Sequence, residues 1–301
     1  MTEDKDTLTG KVDKWINTEG YPLEYFTANT FQKAGFSVSQ GDYSHDGDSG
    51  PREIDVLAWS SGRTEEQRLI RLFNVVECKW TRNKPWVVFT SPNARRKSSE
   101  IIAQTLGSRG GAAAIWAHAG NPELGGLELF QSSGSAGFGG RQALSDGQDK
   151  FYSSLRSITA ATLATVNSYN PQIAYDFPDA CVLAFPVIVI DGDLFEAHYA
   201  ADTDALHLEP REHTRCHWRG SGYSPFPVTI EIVTKTGLPD FASRRAAEFA
   251  VLEQALRPTF DQLRHCYDKK DPGLLAIHGG VTGMSGDPAL WFDILRRAEN
   301  G

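Results

Sequence analysis

Three residues of this chain stand where chemistry explains their presence better than folding does: Asp55, Glu77 and Lys79. In an extended strand, residues two apart point to the same face, so Glu77 and Lys79 project together while Val76 and Cys78 face the other way. The segment around them is apolar, and charges set among Phe73, Val75 and Val76 are costly unless they are paired or bind a metal. Asp55 repeats the pattern as a single acid between Ile54 and Val56. If the two strands are neighbours in register, Asp55 and Glu77 converge on a hard divalent cation, with the backbone carbonyl of Cys78 as a third oxygen ligand. The plain alternative is an unrelated α/β protein in which Glu77 and Lys79 form a structural ion pair.

Several elements must position these groups. Leu23, Phe26, Thr27, Thr30, Phe31 and Ala34 recur at helical spacing, Pro22 suits a first turn and Gly35 a stop, which predicts a helix over 22–34. Phe36–Gln40 alternates like a strand, and the Gly, Asp and Ser content of 41–51 reads as a loop. Glu53–Trp59 and Leu69–Trp80 read as antiparallel strands separated by the polar stretch 60–67. Residues 81–148 read as an insertion, with Ser98–Leu106 helical, Ala112–His118 ambiguous and the Gly- and Ser-rich 132–147 a loop. Phe151–Val166 predicts a helix, and the apolar run Cys181–Ile190 a strand buried on both faces, parallel to an earlier one. Val228–Thr234 reads as a strand, and Asp240–Leu256 and Asp287–Glu299 as helices, so the C-terminal third is expected to be mainly helical. Residues 1–19 are polar and show no clear period.

An Asp followed by Glu-x-Lys on consecutive strands resembles the PD-(D/E)xK, or restriction-endonuclease-like, superfamily; here it stands as Arg-Glu-Ile-Asp55 and Val-Val-Glu77-Cys-Lys79. Ile54 replaces the proline of the family name. The segment Gly20–Phe36 is similar to the first helix of Mrr-like restriction enzymes and archaeal Holliday-junction resolvases, where a helix glutamate joins the metal site; Glu24 is the match. The resemblance implies an α/β fold with a restriction-endonuclease-like α-β-β-β-α-β core and a mixed central sheet. A large insertion follows the third strand, and C-terminal helices complete the chain. It further implies that Asp55 and Glu77 bind Mg2+ or Mn2+, that Glu24 binds the metal or water, and that Lys79 orients or activates the attacking water and offsets charge in the transition state. Phosphodiester hydrolysis needs a strong nucleophile and a counter-charge for the extra negative oxygen, and a metal beside an ammonium supplies both.

From Cys78 to Ser99 the cations Lys79, Arg82, Lys84, Arg95, Arg96 and Lys97 occur without a carboxylate, interleaved with Trp80, Trp86 and Phe89. Such a segment can attract phosphates and stack on bases, or be a solvated loop with its aromatics packed inward. The other chemical groupings read as ordinary structure. Asp42, His45, Asp46 and Asp48 lack the spacing of a calcium loop, and His213, Cys216, His217 and His207 lack a second ligand pair for zinc and read as surface histidines beside a loop. Gly134–Gly140 lacks the ending of a phosphate-binding loop, and Gln148-x-x-x-Tyr152 matches a RecB-like pattern at only two fixed positions.

With 301 residues, 40% of them apolar, the chain can bury a large core, expected as a nuclease-like domain over 20–200 with the 81–148 insertion and an extension over 201–301 packed on it. Its net charge of −8 argues against a protein that coats nucleic acid non-specifically. Four scattered cysteines fit reduced thiols. With no apolar leader or membrane span, the expectation is a cytoplasmic protein. The resulting expectation is a Mg2+-dependent deoxyribonuclease of restriction or genome defence, working alone, as a homodimer or with a defence-system subunit. The alternative is a binding or sensing module on the same fold.

Overall fold

A computed structural model describes residues 7–18, 20–46, 50–81, 84–132, 136–145, 147, 149–171, 176–200, 202–220 and 226–269, with the side chains of 18, 44–46 and 50–52 outside that description. The predicted helix at Asp287–Glu299 lies outside the described residues. The elements run α1 (Leu8–Thr18), α2 (Tyr21–Lys33), β1 (Ser37–Asp46), β2 (Gly50–Arg63), β3 (Leu69–Trp80), β4 (Trp86–Ser91), α3 (Ser98–Ala103), α4 (Arg109–Ala117), α5 (Pro122–Gly125), β5 (Ala136–Gln142), α6 (Lys150–Asn167), β6 (Ala180–Asp191), β7 (Leu194–Ala200), β8 (Ala205–Arg211), β9 (His213–Trp218), β10 (Val228–Thr234) and α7 (Leu238–Lys269). Among the described residues, no helix is long and apolar enough to cross a membrane.

All ten strands join one mixed sheet in the order β1-β2-β3-β6-β10-β9-β5-β4-β7-β8. β1, β2 and β3 form an antiparallel meander, after which β6 lies parallel to β3 over the full length from Leu69↔Ala180 to Trp80↔Asp191, as the helical connection through α6 anticipates. β10 is parallel to β6 and antiparallel to β9. β4 continues the chain from β3 and β7 continues it from β6, and β4 and β7 again pair in parallel. The sheet therefore doubles back, its β3/β6 ribbon reappearing as β4/β7 towards the other end of the hydrogen-bonded order.

Two hydrophobic clusters lie on the faces of this sheet. On one face, Val56, Ile70, Leu72, Val76, Leu183 and Val187 pack against Leu23 and Phe31 of α2 and Phe249, Leu252 and Phe260 of α7. On the other, Phe73, Val75, Val182, Ile188, Cys216 and Ile230 pack against Phe151, Leu155 and Ile158 of α6. Neighbouring residues of β3 alternate between the clusters, as the strand period requires. β6 serves both, which is why its sequence is a continuous apolar run.

Several expectations are corrected. Residues 41–46 and 50–51 belong to strands and not to a loop: β1 and β2 stay paired out to Asp46↔Gly50. The Gly-rich 132–147 segment contains β5, where Gly137 serves close approach; a Cβ on it would lie 2.5 Å from the Arg215 carbonyl oxygen. Where one strand, Val228–Thr234, is expected after residue 200, three precede α7: β8, β9 and β10, of which β10 sits in the middle of the sheet, and residues 270–301 lie outside the described residues. The segment with no clear period begins a helix, α1, whose Leu8, Val12, Trp15 and Ile16 are exposed. Residues 81–148 supply β4 and β5 to the common sheet, and α4 packs on β6.

Candidate functional site

β2 and β3 pair from Arg63↔Leu69 to Val56↔Val76. One residue further, Asp55 and Glu77 would face each other. Instead the backbone ladder ends and the Asp55 side chain takes over, its Oδ2 accepting the N–H of Cys78 at 2.7 Å. The irregularity has a cause in β1. Gln40↔Val56 and Asp42↔Ile54 pair, Gly41 opposite Asp55 is skipped, and Gly41 has φ +66°, a left-handed conformation that glycine adopts without strain. The pleat changes face here as well, because Ile54 joins the cluster under α6 while Val56 and Ala58 join the one under α7.

Glu77 and Lys79 do share a face, with Lys79 Nζ 2.6 Å from Glu77 Oε1. Their side chains retain 12% and 31% exposure, so the pair is sheltered yet reachable from solvent. Cys78 points the opposite way, its thiol donating to Thr27 Oγ1 on α2 at 3.6 Å, and burial pushes that thiol well above its usual range. In an extended strand the N–H and C=O of one residue face the same neighbour. The Cys78 carbonyl is therefore turned to the Asp55 side, as a ligand at that position requires.

The electrostatics form one unit. Burial raises the Asp55 carboxyl to about 6, with the Glu77 and Glu53 charges adding to it and the Cys78 N–H and Lys79 opposing it. Glu24, in the first turn of α2, is raised to about 7 by burial, then by Asp55 and Glu53, with Lys79 opposing. Burial by itself would discharge Lys79, but Glu77 and Asp55 reverse that and hold its ammonium above the ordinary lysine range. Asp55 and Lys79 thus feel the charges of both Glu24 and Glu77, and Glu77 and Lys79 stand at the carboxyl ends of the parallel strands β3 and β6, where ligands commonly bind in open α/β sheets.

Two further groups border this end of the sheet. Trp80 pairs with Asp191 on β6, and Asp191 Oδ2 accepts from Lys235 Nζ at 3.0 Å, just beyond β10. The Lys235 ammonium sits 5.5 Å from the Phe26 ring of α2, two residues after Glu24. Neither residue stands out in the sequence. The signal that finds them is the parallel adjacency of β3, β6 and β10.

The basic segment is divided. Arg82 lies outside the described residues, and Lys84 is exposed just before β4. Arg95, Arg96 and Lys97 follow the far end of β4 and line clefts that contain no residue of the carboxylate site. Trp86 is fully buried with its ring 5.0 Å from Phe151, so it packs the core and cannot stack on a base. His213 and His217 belong to strand β9 rather than a loop. His213 bonds to the buried Glu231 at 2.6 Å, and His217 is only 8% exposed. All four cysteines are free thiols.

The side chains of Glu24, Asp55 and Glu77 offer hard oxygen donors, the chemistry that a small divalent cation takes. They are not a finished cage: among the described residues no group of three or more His, Cys, Asp or Glu side chains is already gathered to hold a metal. Comparison with protein-family models, curated proteins and solved structures gave no match.

Proposed function

We propose that this chain is a metal-dependent nuclease that hydrolyses phosphodiester bonds, in DNA, at the site formed by Glu24, Asp55, Glu77 and Lys79. The observation that carries the reading is the splay of β2 from β3 at Asp55, beside the Glu77–Lys79 pair. The run α2, β1, β2, β3 and, after β4, α3–α5 and β5, the pair α6, β6 supports the reading of a restriction-endonuclease-like core with an insertion. Asp55 and Glu77, with the Cys78 carbonyl and Glu24, would hold Mg2+ or Mn2+. A bound ion there would lower the pKa of its water and polarise the phosphate. Lys79 holds its proton firmly, so it acts as a fixed positive charge that attracts the scissile phosphate and orients the water, and not as a proton acceptor. Glu24 is half-buried in the first turn of α2 and would hold the ion or its water.

Incubation with linear, circular, branched and single-stranded DNA and RNA in Mg2+ or Mn2+ tests the proposal. Metal-dependent cleavage of DNA supports it, and no cleavage of any substrate in either metal contradicts it.

The direct 2.6 Å contact of Lys79 with Glu77 favours a second reading, in which the ammonium occupies a would-be ligand until a partner or bound strand draws it away. Such a protein binds nucleic acid as a sensing module and cuts only when activated.

A further inference from the structure

The strongest feature outside the carboxylate site is a cavity of about 620 Å³ where β5, β9, the start of α6 and the segment after β4 meet. Three arginines line it, Arg95, Arg96 and Arg219, against the single carboxylate of Glu100. Among the described residues neither Arg95 nor Arg219 has a carboxylate partner, while Arg96 is pinned in place by the carbonyl of Pro227 at 3.3 Å and by Gln104. Two rings open onto the same space: Phe138 is 57% exposed and Tyr152 51%, the latter backed edge-to-face by buried Trp218 with centroids 6.0 Å apart. Exposed aromatic faces beside guanidinium groups are the elements that hold bases and phosphates in nucleic-acid channels.

His217 lines this cavity as well: its Nδ1 is bonded to Thr229 Oγ1 at 3.0 Å, and its Nε2 is buried with no hydrogen-bond partner among the described residues. Burial, with Arg96 and Arg215 nearby, depresses His217 to about 4, so the ring is neutral at physiological pH and adds no charge to that of the arginines.

The location separates this cavity from the carboxylates. Trp218 is level with Val228 at the start of β10, whereas Lys79 is level with Ile190 and so with Thr234 at its end. Six strand residues make a separation of about 20 Å. Arg95 and Arg96 also front a second cleft of about 620 Å³ with Lys97, giving a continuing cationic track.

We infer that this cavity is a nucleotide-binding site, stacking a base on Tyr152 and Phe138 and seating phosphate on Arg95, Arg96 and Arg219, with the neutral His217 ring in its wall. The nucleotide is either free or one unit of a strand whose backbone follows the track past Lys97.

Calorimetric titration of the full chain with the four ribonucleoside and four deoxynucleoside monophosphates, a six-nucleotide single strand and inorganic phosphate tests this. Tyr152→Ala and Arg219→Ala remove exposed side chains, so both variants are expected to fold; circular dichroism verifies it. Each is expected to weaken nucleotide binding at least about fivefold, while Asp55→Asn leaves it unchanged. That last variant separates failure of this site from failure of the nuclease reading. A hexanucleotide bound at least tenfold more tightly than any monophosphate identifies a strand unit; equal affinity identifies a free nucleotide, and both agree with the site. Three results overturn it: no binding of any nucleotide at millimolar concentration, binding that both variants leave unchanged, or inorganic phosphate binding as tightly as the nucleotides.

Discussion

Asp55 and Cys78 meet across the point where two strands stop pairing: the aspartate Oδ2 takes the backbone N–H of Cys78 at 2.7 Å, in the place a ladder hydrogen bond would hold. A side chain thus ends the β2–β3 ladder and sets a carboxylate where a backbone carbonyl would otherwise stand. The consequences can be measured.

The first concerns pH. Folding raises the Asp55 carboxyl from 3.8 to about 6, so between these values the folded chain binds more protons than the unfolded one. Stability from this group is complete below pH 4 and is lost as pH rises through 6, by roughly 2–3 kcal/mol. Asp55→Asn lacks that loss. In metal-free buffer its melting temperature should rise relative to the parent protein between pH 4 and 7; a constant difference across that range would show that Asp55 is not held this way.

Metal binding should carry the opposite dependence. Protons on Asp55 and Glu24, at about 6 and 7, compete with a cation. Mn2+ affinity measured by calorimetry should therefore increase about tenfold or more from pH 5.5 to 7.5, with proton release, and Asp55→Asn should abolish it. Flat affinity would place the cation elsewhere.

The buried charges of β9, β10 and α7 are structural. Glu231 is 2% exposed and bonds to His213 at 2.6 Å, Arg215 at 2.9 Å and Arg245 at 2.7 Å, which hold its carboxyl well below the usual range despite burial. Glu231→Gln removes the charge shared by His213, Arg215 and Arg245 and leaves Arg245, itself 1% exposed, to the longer 3.5 Å pairing with Glu248, and should destabilise by roughly 3–5 kcal/mol in urea unfolding. A loss under about 1 kcal/mol would mean that solvent reaches this network.

Two glycines of β5 give a matched comparison. A Cβ on Gly137 would meet the Arg215 carbonyl oxygen at 2.5 Å and Val88 at 2.6 Å, whereas nothing lies within 4 Å of one on Gly139. Gly137→Ala should destabilise by roughly 1–3 kcal/mol, and Gly139→Ala should change stability by less than about 1 kcal/mol. Equal effects on thermal unfolding would contradict the close packing of β5 on β9.

These residues also show what a sequence reveals. β3, β6, α6 and most of α7 are legible because each buries a periodic or continuous apolar face. β8 is hidden because it is an edge strand, with every residue but Glu209 exposed, and so has no pattern to read. β9 looks polar because His213 and Arg215 turn toward a buried carboxylate that belongs to β10. Asp55, Glu77 and Lys79 are visible as charges inside apolar strands. Asp191 and Lys235 are not, since only strand order brings them to the same end. The cations of 82–97 form one group in sequence, but β4 carries Arg95–Lys97 to the opposite end of the sheet.

The most direct test is cleavage of supercoiled plasmid in Mn2+ by the parent protein, Asp55→Asn and Lys79→Ala, with circular dichroism to verify that all three fold. The proposed site predicts metal-dependent nicking by the parent and at least about a hundredfold loss in both variants, the scale of removing one transition-state charge. Cleavage by the folded variants at the parent's rate would contradict it.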